Sequence, residues 1–284
     1  MAIKYDTLGL LIYIALTANI LAWVAMLSTH FPRRFRAIRW GVYPHVFVTR
    51  LTKIGWAFFA LGFVASAGGV LMRGLSTGRP PMRNMFEVMM FIAAVMFPLS
   101  VFCRLVLRVG SCWADALLAA VLLVPVGFVF SAEVAHLPPV LQNPLFGPHV
   151  ATYLLAYAIL AKAAVQAVAL LRISRRDATS QPLSERSGEL DRMVRLGFPL
   201  LTMGLCLGAI WGKLAWGDYW NWDPKEMWSL ATWLIFAGYF HLPKGSRADK
   251  LRAWVALAGF AMTIITLLWV NFSKLFAGLH NYAS

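Results

Sequence analysis

Between Trp216 and Trp228 the chain reads WGDYWNWDPKEMW, which sets four tryptophans, a tyrosine, two aspartates, a lysine and a glutamate within one short stretch. Flat aromatic faces stack on a conjugated ring, and Lys225 with backbone donors can hold the polar edge of such a ligand. Tryptophan and tyrosine also gather at membrane interfaces as an amphipathic belt. That explains one or two rings better than Trp216, Trp220, Trp222 and Trp228 together. It leaves Asp218, Asp223 and Glu226 unexplained, because carboxylates do nothing for anchoring. The residue types leave open a porphyrin, a quinone and an aromatic segment of a partner. The chain also carries His30, His45, His136, His149, His241 and His280. Two neutral imidazoles facing each other across a stacked ring can ligate a haem iron from both sides. Which histidines share the side of the tryptophan loop depends on the elements that carry them.

Those elements are membrane helices. The 284 residues are 60% hydrophobic and only 13% charged, against roughly 25% charged in a soluble domain. A soluble fold so poor in charge could not cover its surface. Apolar runs near the roughly 20 residues a span requires occur at 8–29, 51–72, 85–107, 114–131, 149–171, 196–214, 228–242 and 253–272. The seventh is short and its start is ambiguous. The expected fold is therefore an all-α integral membrane protein of about eight transmembrane helices, one polytopic domain over 1–284. It would have a binding loop at 211–228 between helices six and seven and a polar cytoplasmic linker at 173–194. The first run lacks the basic start and small-residue cleavage site of a signal peptide and reads as a retained helix.

Charge orients the bundle. The net charge of +14 would suggest nucleic acid in a soluble protein. Here the basic residues sit in short connections, so it reads as topology, with no nucleic-acid partner expected. Eighteen Lys and Arg residues, including Arg33, Arg34, Arg175, Arg176 and Lys244, fall on one side and seven on the other. Cytoplasmic loops carry the excess, so both termini and the tryptophan loop face outward. His149, His280 and His136 are then also outside, and spacing alone does not exclude His136 as a ligand. His241 ends helix seven on the inner side, and His30 and His45 flank the first basic loop. Lys162 lies inside helix five, roughly 20 Å along the axis from His149. Cys103, Cys112 and Cys206 form no CxxC pair, which argues against a thiol redox centre and a disulfide framework.

The segment WGDYWNWDPKEMWSLATW resembles the WWD signature of haem-handling membrane proteins in cytochrome c maturation, and within them the CcsA/ResC family, the membrane subunit of a two-component cytochrome c synthase. LGAIWGKLAWGDYWNWDPKEMWSLATWLIFAGYFH, GPHVATYLLAYAIL, the C-terminal LHNYAS and PMRNMFEVMMF are similar to further family blocks, so the resemblance covers most of 80–284. It implies that His149 and His280 are axial ligands of haem b at an external site, and that His241 takes haem within the membrane. It implies that Trp216, Tyr219, Trp220, Trp222, Asp223, Glu226 and Trp228 bind the haem edge. It further implies a CcsB/ResB-type membrane partner, apocytochrome c as client, thiol-reducing proteins and surrounding lipid. The implied activity is that of a haem lyase: haem moves outward and is presented to the CxxCH thiols for thioether formation, with no protein nucleophile. The implied compartment is the bacterial cytoplasmic membrane, with the site on the extracytoplasmic face. Runner-up relatives are the CcmC-type chaperone and the longer CcmF-type lyase. Outside this class, a small-solute permease or an assembly scaffold also accommodates the helices.

Overall fold

The structure is a computed structural model and describes residues 6–30, 45–134, 137–174, 181–269 and 278–280. Eight α-helices lie among the described residues, where no strand is present. They are α1 Thr7–His30, α2 His45–Thr77, α3 Met85–Leu105, α4 Cys112–Phe128, α5 Phe146–Ser174, α6 Gln181–Trp216, α7 Pro224–His241 and α8 Ser246–Ile264. Six of these are long and apolar enough to cross a membrane; α4, with 17 residues, and α7, with 18, are the short ones. His136 lies outside the described residues, as do 175–180 of the expected linker and 270–272 of the expected last span.

The chain divides into two compact units. The first holds α1–α4, built around small residues that let backbones approach. Ala15, Leu16, Ala65, Ala93, Ala120 and Leu123 form its core. A side chain at Gly62 would collide with the Asn19 amide, which sets how closely α1 and α2 pack. Glu87, fully buried, receives Arg73 Nε at 3.0 Å and Arg79 Nη1 at 3.0 Å. Arg73 continues to the carbonyls of Ala132, at 2.5 Å, and Glu133, at 2.8 Å. A buried carboxylate persists only when paired and hydrogen-bonded, so this cluster ties the end of α2, the start of α3 and the segment after α4 into one knot. Leu71, Leu75, Val64 and Val121 are exposed on this unit, the apolar surface that lipid requires.

The second unit holds α5–α8. Along α6, Gly197, Gly204 and Gly208 carry no side chain where Leu160, Tyr153 and His149 of α5 lie flat against the helix. At the other end of α6, which packs there on α8, Ser187 donates to Asp249 at 2.8 Å and Arg252 pairs with Asp191. Residues 181–194, expected to be linker, are thus the opening turns of the 36-residue α6. Their polar side chains bond across to α5 and α8: Arg186 also reaches Gln166 at 3.0 Å. Partnered polarity, not solvation, explains the composition. The start of α7 is four residues earlier than the apolar run suggests, because Asp223 caps it and Pro224 occupies the first helical position. After α8 the helix widens to π geometry over Ile265–Trp269.

Candidate functional site

The tryptophan segment divides into three parts. Trp216 ends α6, residues 217–223 form the connection, and Pro224 to Trp228 open α7. The connection enters through Gly217, at φ 93°, and leaves through Trp222, at φ 56°. Glycine adopts the first without strain, whereas a left-handed tryptophan is uncommon. Two carboxylates hold this shape. Glu226 Oε2 accepts from the backbone N–H of Asn221 at 2.8 Å and of Asp223 at 3.2 Å. Asp223 Oδ1 accepts from Lys225 N at 2.9 Å, completing a capping box of the kind that satisfies otherwise orphaned helix N–H groups.

Asp223 reaches further. Its Oδ1 also lies 2.9 Å from His280 Nδ1, and its Oδ2 accepts from Leu279 N at 2.5 Å. A side chain on Gly278 would run into this carboxylate. Burial by itself would raise the Asp223 pKa, but the bond to His280, its charge and the backbone donors together hold it below the usual carboxylate range. Burial pushes the His280 pKa down, against the opposing pull of Asp223. The imidazole is therefore neutral, and because an ionised carboxylate only accepts, Nδ1 carries the proton. Nε2 is left as a free lone pair.

His149 is fixed in the same sense. It lies in the first turn of α5, its Nδ1 2.9 Å from the carbonyl of Gly204. A carbonyl only accepts, so Nδ1 donates, and in the neutral ring Nε2 is the lone pair. Gly208 leaves the room: a Cβ there would stand 2.6 Å from His149 Cε1. Tyr153 meets the imidazole edge-on, with ring centroids 5.2 Å apart at 87°. Trp211 stacks on its face at 5.9 Å and 11°.

Trp211 joins the two histidines, since its ring is also 5.8 Å from His280. Trp216 packs against Trp211 at 4.7 Å and against His280 at 4.6 Å. The structure therefore brings His149, His280, Trp216 and Asp223 together, and adds Trp211, Tyr153, Gly204 and Gly208. Other named residues lie elsewhere. Trp220, half-buried, and Trp222 meet at 6.2 Å, nearly perpendicular, within the connection. Trp222 is 70% exposed and Tyr219 60% exposed, the latter beneath Lys213 Nζ at 5.5 Å. Trp228 is half-buried in the second turn of α7, with Glu226 committed to the cap. His241 is exposed at the other end of α7, roughly 25 Å along that helix axis from Asp223. Lys162 is buried within α5. His30 ends α1 and His45 begins α2.

Comparison with known proteins sets these features in context. Residues 82–277 match the family described as Cytochrome C assembly protein. The chain is similar to a cytochrome c biogenesis protein CcsA of Chlamydomonas reinhardtii, 33% identical over 75% of this chain and 64% of that one. It is similar to CcsA of Marchantia polymorpha, 30% identical over 86% of this chain and 92% of that one. It also matches CcsA of Gloeobacter violaceus, 50% identical over 32% of this chain and 27% of that one. Among solved structures, a cytochrome c haem lyase CcmF aligns with a TM-score of 0.61 at 17% identity, covering 94% of this chain and 48% of that one. That likeness speaks for the fold.

Proposed function

The chain belongs to the cytochrome C assembly protein family, and from that premise we propose that it binds haem between His149 and His280 and presents it for attachment to apocytochrome c. The observation that carries this reading is the shared state of the two imidazoles: each gives its Nδ1 proton to an acceptor of the chain itself. Metal-ligating histidines are held in this way, the second hydrogen bond fixing tautomer and ring orientation. The donor set suits an iron that takes two neutral nitrogens, and the aromatic walls of Trp211 and Trp216 suit a flat macrocycle. Haem is here the substrate, and its vinyl groups accept the two thiols of a CxxCH segment.

The chain's own residues contribute positioning. Gly204 and Asp223 hold the imidazoles, and Trp211 and Trp216 support the rings. Glu226 and Asp223 maintain the connection that carries Tyr219, Trp220 and Trp222, three rings placed to meet the haem edge or its client. Trp228 belongs to the same aromatic group. We assign no nucleophile. His241, exposed and remote from the pair, is suited to a ligand role completed by a second protein of the CcsB/ResB type, at an earlier stage of haem passage. Thiol-reducing proteins would keep client cysteines reactive. We place the chain in a bacterial cytoplasmic membrane, where the excess of Lys and Arg on one side supports a His149/His280 site on the outer face.

The test is maturation in cells that lack this chain. Wild type is expected to restore covalent haem on a reporter apocytochrome c. His149→Ala and His280→Ala should each lower the yield at least tenfold at equal membrane abundance. Undiminished yield from both variants would contradict the reading.

A further inference from the structure

Trp211 is 2% exposed, and its Nε1 has no hydrogen-bond partner among the described residues. A buried indole N–H ordinarily finds one. In the same unit Trp233 Nε1 donates to Thr202 Oγ1 at 2.9 Å. Leaving a donor buried and unpaired is costly, so an orphan in so tight a cluster calls for a reason. Its ring neighbours supply none. Trp211 is surrounded by Phe146 at 6.1 Å, His149 at 5.9 Å, Trp216 at 4.7 Å and His280 at 5.8 Å, a wall of aromatic rings. Of these rings, the two histidines direct their Nδ1 protons to Gly204 and Asp223.

Charges of both signs lie nearby. Asp223 and Glu226 act on His280 but are engaged by His280 itself and by the α7 cap, while Lys225, half-buried in the first turn of α7, is the cation acting on both His149 and His280. A buried N–H donor beside a cation is a setting for an anionic acceptor. The ligand proposed above carries carboxylates, which an uncharged quinone of similar flatness lacks.

Resting on the haem reading, we infer that the Trp211 indole N–H is the hydrogen-bond donor to a carboxylate of the bound haem, with Lys225 supplying the adjacent positive charge. Trp211 then does two things: its face aligns His149, and its edge selects an acidic macrocycle. Only the second depends on the nitrogen, which makes the roles separable. Phenylalanine keeps an aromatic face and removes the donor.

The experiment titrates the full-length chain in detergent with haem b and with haem b dimethyl ester, whose carboxylates are masked, and follows the visible spectrum. Wild type is expected to bind haem b roughly tenfold more tightly than the diester. Trp211→Phe should lose that preference, with haem b weakened roughly tenfold, the diester unchanged and both spectra still those of a bis-imidazole complex. Equal affinity of wild type for the two ligands overturns the inference without recourse to any variant. So does a Trp211→Phe protein that weakens both ligands alike or neither. A wild type that gives no bis-imidazole spectrum with either ligand is a different failure, and it removes the haem reading itself.

Discussion

Asp223 concentrates two functions in one carboxylate. It caps α7 through Lys225 N, and it receives Nδ1 of His280, which lies 57 residues away in sequence. The two can be separated by substitution. Asp223→Ala removes both, and Glu226→Ala removes the other half of the capping box with the bond from Asn221 N but leaves the Asp223–His280 contact. A lost cap costs about 1 kcal/mol. Both variants are therefore expected to lose a few degrees of thermal stability, measured by melting in detergent. Only Asp223→Ala should also weaken His280 ligation, seen as a growing high-spin fraction in the spectrum of haem-loaded protein. Gly208 offers a second test at this scale. A methyl group there would stand 2.6 Å from His149 Cε1, whereas Gly238 has nothing within 4 Å. Gly208→Ala should lower haem affinity at least tenfold, and Gly238→Ala should leave it unchanged.

These residues also show what could be read without coordinates. His149, His280 and the tryptophan segment are conspicuous by type and spacing. Trp211 falls at the first position of the expected 211–228 loop but draws no role of its own from the sequence; it lies in the last turns of α6, where a tryptophan looks like packing. Gly204 and Gly208 matter only through their apposition to α5, and nothing local in the sequence encodes that. The pairing of Asp223 with His280 is similarly non-local. The start of α7 was within reach, since Asp-Pro-Lys-Glu is a capping box with proline at the first position. The apolar run alone places it later.

Among the elements, the opening of α6 is the clearest case of tertiary structure overriding composition. Residues 181–194 are polar enough to suggest a tether, yet they are helical, because their charges find partners on α5 and α8. Asp191 receives Arg195 Nε at 2.8 Å, Lys244 Nζ at 3.5 Å and the buried Arg252. Removing the acceptor leaves Arg252 only its longer pair with Asp249, at 3.8 Å, and breaking a buried pair costs about 3–5 kcal/mol. Asp191→Ala is thus expected to be markedly less stable than wild type, while Arg195→Ala, whose side chain is more than half exposed, should change stability by less than about 1 kcal/mol. Thermal unfolding of the two variants in the same detergent checks the difference. Equal losses would mean that Asp191 does not anchor α6 to α8.

At the scale of the whole molecule, this is a multi-pass all-helical membrane protein of the cytochrome C assembly family. Eight hydrophobic runs were legible from length and composition, as was the shortness of the seventh, though not that α4 would be a short member as well. The imbalance of Lys and Arg predicts which face carries the tryptophan connection. Single cysteines at Tyr219 and at Lys244, introduced on a background with Cys103, Cys112 and Cys206 replaced, should label oppositely with a membrane-impermeant maleimide in intact cells. Tyr219→Cys should react and Lys244→Cys should not; the reverse pattern would invert the proposed topology.

The most direct measurement of the central claim is the visible spectrum of the detergent-purified chain supplied with haem, for wild type and for the double variant His149→Ala plus His280→Ala. Wild type is expected to give a reduced bis-histidine haem spectrum that is lost or shifted in the double variant. A wild type that stays colourless with haem and with its proposed membrane partner present, or a double variant with the wild-type spectrum, would contradict it.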